Sequence, residues 1–285
     1  SALARALDDL QSSHRFDAVI VEYVFLSRAL LRFGGGVRKL IDTHDIFTDR
    51  HQRYLDQGQE PQWYSTTEAE EGRGFDRADT VMAITDKERD VFAAMTQTPV
   101  ITVGHFIACE GRDPALVKSG SLLFVASNNP INLHGLNWFL DEVSPQLLTL
   151  HPDIEVWLVG TIADQVDDRP GVVRMGRIDD LADVYRQAHV VINPVRFNTG
   201  LSIKNLEAMA YSRPLVSCVA GADGLERSAG IAFLTADEPD AFAEAVNRVL
   251  CDPDLASDLG ERARAEASAW NVANLRELNQ ALGAG

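Results

Sequence analysis

The stretch Asn193-Pro194-Val195-Arg196-Phe197-Asn198-Thr199-Gly200-Leu201-Ser202-Ile203-Lys204-Asn205-Leu206-Glu207-Ala208-Met209-Ala210 changes character part-way along. The apolar run Val190 to Asn193 predicts a buried strand that ends at Pro194, because proline removes a ladder donor. A glycine loop follows, and a helix begins near Leu201. The backbone N–H groups of Gly200, Leu201 and Ser202 would then point out of the helix terminus, where negative charge is favoured. Lys204 adds a cation to that anion site, and Glu207 lies three residues later on nearly the same face. The plain alternative is a solvated Lys204–Glu207 ion pair.

The same alternation extends outward. Ala18 to Val21, Lys39 to Ile41, Thr80 to Ile84 and Val100 to Val103 read as buried strands. So do Leu122 to Ala126, Glu155 to Val159, Val172 to Met175, Leu215 to Cys218 and Ile231 to Leu234. They are short and rich in Val and Ile, as parallel strands covered on both faces should be. Helical spacing lies between them: Leu133 to Leu150 carries Leu136, Phe139, Leu140, Val143 and Leu147 on one stripe. Ile203 to Tyr211, Ala241 to Leu250 and Leu255 to Ala267 behave alike. Strand and helix in alternation predict an α/β protein with parallel sheets. Ile107 to Gly120 breaks the rhythm, holding Gly111, Pro114 and Gly120 and no strand. It reads as a linker (108–120) between a first domain, 1–107, and a second, 121–285.

Composition narrows the classes of partner. The chain has 285 residues, 46% of them hydrophobic and 24% charged, enough for two globular domains. A formal net charge of -16 makes nucleic acid an unfavourable partner. Cys109, Cys218 and Cys251 are far apart and odd in number, which suits reduced thiols in the cytoplasm. No apolar run approaches the roughly 18 residues of a membrane span.

Ligands of an open parallel sheet bind at the carboxyl ends of its strands. Two further loops of the second half fit that place. Ser127-Asn128-Asn129-Pro130-Ile131-Asn132 offers short polar side chains, Ser127 and Asn132 among them, that either cap the next helix or face a phosphate. Met175-Gly176-Arg177-Ile178-Asp179-Asp180 would present backbone at Gly176 and Arg177 to the edge of a base, or simply end a strand before an Asp-capped helix.

The order of these residues resembles a known family. Gly200-x-x-Ile203-Lys204-x-Leu206-Glu207-Ala208-Met209-Ala210-x-x-Arg213-Pro214-Leu215-Val216, ending in Gly221-x-x-Gly224-Leu225, resembles the donor-site signature of family 4 retaining glycosyltransferases. Asn132-x-x-Gly135-Leu136-x-Trp138-Phe139-Leu140-x-Glu142-Val143-x-Pro145, followed by Leu158-Val159-Gly160, is similar to the same family. Weaker likeness runs through Phe16-Asp17-x-Val19-Ile20, Asp42-x-His44-Asp45 and Ala78-Asp79-x-Val81.

The resemblance implies the GT-B fold, two Rossmann-like domains whose parallel sheets face a cleft. It implies a nucleotide-sugar co-substrate, UDP- or GDP-linked, and neither a separate cofactor nor a metal. Glu207 takes the place of the family's ribose-binding glutamate, the last of a Glu-x7-Glu motif, while Lys204 and the Gly200 backbone take the diphosphate. The first glutamate of that motif is replaced by Thr199, which bears on the transferred sugar. Arg196 is a further candidate for the phosphate site, and His44 matches the histidine that faces the donor sugar, with His105 as a second candidate. Asp42, His44, Asp45, Asp49 and His51 would otherwise suggest a metal site.

The resulting expectation is a cytoplasmic glycosyltransferase, or one peripheral to the inner face of the membrane. It would act on a saccharide, lipid-linked or small-molecule acceptor and could form a homo-oligomer. The alternatives are a catalytically silent nucleotide-sugar-binding or assembly subunit and a sugar-nucleotide 2-epimerase. Only four strand candidates precede residue 107, and Ser1 stands inside an amphipathic helix with Leu3, Leu7 and Leu10 on one face. The first domain is therefore expected to lack its amino-terminal part, since each strand-plus-helix unit takes about 30 residues.

Overall fold

The structure, a computed structural model, describes residues 2–56, 58, 60, 61, 64–111, 113–197 and 200–283. It divides into two compact units, residues 1–105 with 272–285, and residues 106–271.

The first unit holds α1 (Ala2–Ser13), β1 (Ala18–Glu22), a 3-10 segment (Val24–Arg32) and β2 (Arg38–Asp42). Then come α2 (Arg50–Asp56), α3 (Glu68–Phe75), β3 (Thr80–Ala83), α4 (Asp86–Ala93) and β4 (Val100–Thr102). Thr67 and Thr85 cap α3 and α4 by accepting from the N–H groups of Glu70 and Glu88. The four strands are parallel in the order β1-β2-β3-β4, with β1 on one edge. Ile41, Val81 and Ala83 meet Leu30, Phe47, Phe75 and Phe92 in a core. Leu40, Met82 and Val103 meet Leu278, Ala281 and Leu282 in another.

The second unit holds β5 (Ser121–Val125), α5 (Pro130–Trp138), α6 (Ser144–Leu150), β6 (Glu155–Val159) and β7 (Val172–Gly176). It continues through α7 (Ala182–Gln187), β8 (Val190–Asn193), α8 (Ile203–Ala210), β9 (Leu215–Ser217) and β10 (Leu234–Thr235). α9 (Pro239–Cys251) and the long α10 (Pro253–Leu282) end the chain. Its six strands are parallel in the order β10-β9-β8-β5-β6-β7. Successive β5 side chains enter opposite cores: Leu122 and Phe124 meet Phe139, Phe242 and Val246, while Leu123 meets Tyr185, Leu206 and Met209. Covered on both faces, such a strand has to be apolar on both, as Leu122 to Val125 are.

Four sequence expectations change in detail. The helix expected over Leu133 to Leu150 starts at Pro130, capped by Asn129, and passes through a π-helical stretch at Phe139–Val143. Pro145, just beyond, has no N–H to keep the i to i−4 ladder in step. The strand expected over Ile231 to Leu234 shrinks to Leu234–Thr235, because the Gly230 N–H bonds back to the Phe233 carbonyl and closes a turn. The presumed linker is attached to the second unit: the Glu110 N–H bonds the Ala210 carbonyl at 2.8 Å and Arg186 clasps the Glu110 carboxylate. The expected second domain also loses its last residues. From Val272 onward α10 belongs to the first unit, where Leu278 and Ala281 find their apolar partners. Among the described residues no helix is long and apolar enough to cross a membrane.

Candidate functional site in the second unit

The strand order locates the site. From β5 the chain builds outward through β6 and β7, then returns to lay β8 on the other side of β5. The loops leaving β5 and β8 therefore diverge from adjacent strands, and the crevice at such a switch point is where open α/β sheets hold ligands.

Close backbone approach brings the two loops together. A Cβ on Gly135 of α5 would lie 2.5 Å from the Pro194 carbonyl oxygen, so only glycine lets the helix sit against the end of β8. Asn193, the last residue of β8, is fully buried. Its amide donates to Ser202 Oγ (2.9 Å), Asn205 Oδ1 (2.8 Å) and the Gly221 carbonyl (3.2 Å). Asn205 donates to the same carbonyl at 2.8 Å. This buried network holds the start of α8, whose Ser202 makes no side-chain cap of its own.

Lys204 then reaches across. Its Nζ donates to Asn132 Oδ1 at 2.8 Å and lies 4.8 Å from the centre of the Phe124 ring. Asn132 is fixed in turn, donating its backbone N–H to Oδ1 of the Asn129 cap and its Nδ2 to the Ser127 carbonyl at 2.9 Å. Burial lowers the Lys204 ammonium from 10.5 to about 8, and the Glu207 charge only partly opposes it. The solvated ion pair is thus not what the fold builds: Lys204 and Glu207 are both half-buried. Glu207 Oε2 accepts from the Tyr185 hydroxyl at 2.7 Å. Tyr185 is completely buried and stacks on Tyr211, ring centres 5.0 Å apart.

The remaining candidates are placed as follows. Ser127 Oγ accepts from the Asn129 side chain, so the loop is partly self-satisfied. Gly176 adopts φ 69, with open space where a Cβ would stand, and its carbonyl accepts from the Gly160 N–H. Arg177 is exposed beside Asp179. Gly200 and Leu201 precede α8. Arg196 takes partners that Lys204 and Glu207 do not share: it lies 4.6 Å over the Trp138 ring and donates to the Asp237 carbonyl. There it walls an open cavity of about 580 Å³ with Glu142 and Glu238. Thr199 lies outside the described residues.

His44 and His105 belong to the first unit. His44 follows β2 at φ 61, its ring 4.5 Å from Tyr23 and its Nε2 3.8 Å from Asp42 and 4.0 Å from Glu22. Burial raises the Asp42 carboxyl, with His44 opposing. Two other members of the suspected metal cluster turn elsewhere: Asp45 pairs with Arg50, and His51 with Ser65. Among the described residues no group of three or more His, Cys, Asp or Glu could hold a metal ion. Asn193, Asn205 and Tyr185 went unnoticed in the sequence. An asparagine closing an otherwise apolar strand was the one available signal for the first, and the Tyr185 partner stands on another helix.

Residues 119–252 match the family described as glycosyl transferases, group 1. An uncharacterized 44.6 kDa protein in the cps region of Klebsiella pneumoniae is 25% identical to this chain over 127 residues, 40% of this chain and 33% of that protein. This chain thus matches about a third of that relative. Among solved structures, TarM of S. aureus superposes with a TM-score of 0.75 at 12% identity, covering 98% of this chain and 58% of TarM. Anabaena HepE, crystallised with UDP and glucose, superposes at 0.69 with 14% identity, covering 98% and 80%. At such identity the likeness concerns the fold, and the fold is GT-B. The matched segment contains the whole Asn132–Lys204–Glu207–Tyr185 constellation.

Proposed function

We propose that this chain is a glycosyltransferase. It takes a UDP- or GDP-linked sugar in the group 1 domain and moves that sugar, with retention and without a metal, to a saccharide, lipid-linked or small-molecule acceptor. The observation that carries the reading is the Lys204–Asn132 bond at 2.8 Å, which ties together the first turns of α5 and α8, the helices that follow β5 and β8 at the switch point. A diphosphate at the start of α8 would meet the helix terminus and add negative charge beside the partly buried ammonium. Glu207, one turn further along, would accept hydrogen bonds from the ribose hydroxyls. In the reaction, the bond from the anomeric carbon to the diphosphate oxygen breaks. The acceptor hydroxyl oxygen bonds to that carbon from the same face, and its proton passes to the departing phosphate. Lys204 and the helix terminus stabilise the charge that grows on that phosphate. His44 would face the sugar, and Gly176 and Arg177 the base. The cytoplasm, or the inner face of its membrane, is the proposed place of action.

Thr199 favours a second reading, a nucleotide-sugar-binding subunit without transferase activity, since the family's first motif glutamate is absent there. A thermal-shift screen with UDP, GDP and ADP, followed by transfer or hydrolysis assays with labelled UDP- and GDP-sugars, separates the two. Stabilisation by UDP or GDP with turnover supports the transferase. Binding without turnover selects the subunit, and no stabilisation by any of the three overturns the nucleotide site.

A further inference from the structure

Tyr185 stands where no role has been assigned to it. It lies on α7, its ring has no exposure to solvent, and its hydroxyl donates to Glu207 Oε2 on α8 at 2.7 Å. The parallel Tyr211 ring, inclined by 7°, holds it in place. A buried phenol needs one acceptor. This one uses a half-buried carboxylate at the edge of the site. Burial, and then the Glu207 charge, hold the phenol well above its ordinary value, so it stays a donor throughout the neutral range.

The terminal torsion of a glutamate is broad and roughly two-fold, so a helix alone does not orient its carboxylate plane. A short bond to one oxygen from a ring that cannot move does orient it. We propose that Tyr185 is a positioning residue that sets the Glu207 carboxylate for the two ribose hydroxyls of the nucleotide. This rests on the assignment of Glu207 to the ribose. A phenol serving only to fill the core would leave sugar selectivity untouched, whereas a positioning phenol controls it.

The test is calorimetry with UDP and 2′-deoxy-UDP, or with GDP and 2′-deoxy-GDP where GDP is the nucleotide bound. Wild-type protein should prefer the ribonucleotide by on the order of tenfold, the range expected of a charged hydrogen bond. Glu207→Ala should bring the ratio close to one. Tyr185→Phe, which removes a single oxygen, should lower the ratio several-fold while affinity for the deoxy compound changes little. Because both constants come from one sample, a reduced folded fraction cancels in their ratio. A wild-type ratio in Tyr185→Phe overturns the positioning role alone, provided Glu207→Ala has lost selectivity. A wild-type protein that binds ribo and deoxy forms equally, or binds neither, overturns the Glu207 assignment and the proposal with it.

Discussion

Replacing Lys204 by methionine should make the stability of the protein lose a defined pH dependence. The wild-type ammonium falls from 10.5 to about 8 on folding, chiefly through burial. At about 1.4 kcal/mol per unit, holding the charge in place costs about 3 kcal/mol. Below pH 8 both folded and unfolded chains carry the proton, and the whole cost is present. Between 8 and 10.5 the unfolded chain keeps a proton that the folded one has released, so stability rises with pH. Above that window both are neutral and the cost is gone. Methionine has no such cost, but it leaves Asn132 Oδ1 without its Lys204 donor, a loss of about 1–3 kcal/mol. The variant should therefore lie close to wild type at neutral pH, or up to about 2 kcal/mol above it, the difference of these two effects. By pH 10 wild type should have gained about 3 kcal/mol relative to it. Urea unfolding of both proteins in steps from neutral pH to pH 10 measures this, because other titrating groups cancel in the difference. A difference that stays constant with pH would refute the reasoning. Under the proposed function, nucleotide binding near pH 8 should also take up protons in wild type and not in the variant. Calorimetry in buffers of different ionisation enthalpy reads that directly.

Three further outcomes are expected. Glu207→Ala should fold and lose about 1.5–3 kcal/mol of nucleotide affinity; titration calorimetry giving unchanged UDP and GDP affinity would remove Glu207 from the ribose. Gly135→Ala should cost about 1–3 kcal/mol, because the new methyl would sit 2.5 Å from backbone that cannot swing away. A thermal melt equal to wild type would contradict the close approach of α5 to Pro194. Under the proposed function, sugar transfer should survive EDTA, and strict dependence on an added divalent ion would reopen the Asp42 to His51 segment as a metal site.

Much of the second unit was legible one segment at a time. The switch from strand to loop to helix around Asn193 and the placing of Lys204 and Glu207 one turn apart follow from local chemistry. Proline ends a strand, and helical spacing fixes a face. Element ends were less legible. The Leu133 to Leu150 stripe is continuous as a pattern, yet Pro145 disturbs the hydrogen bonding beneath it.

What the sequence determined by itself, then, is the set of elements and their exposure, since periodicity reports how a segment divides between core and water. Tertiary structure alone decided which elements became neighbours. Asn132 and Lys204 are 72 positions apart and meet only because β8 pairs with β5, an outcome of the packing of whole segments. Tyr185 could not announce its bond to Glu207, because an aromatic residue at a buried helical position looks the same whether or not its hydroxyl serves a site. Arg196 carries the charge expected of a phosphate ligand, but the Trp138 face and the Asp237 carbonyl hold it. The end of α10 joined the first unit for the same physical reason: an apolar stripe specifies that it must be covered, and the fold supplies what covers it.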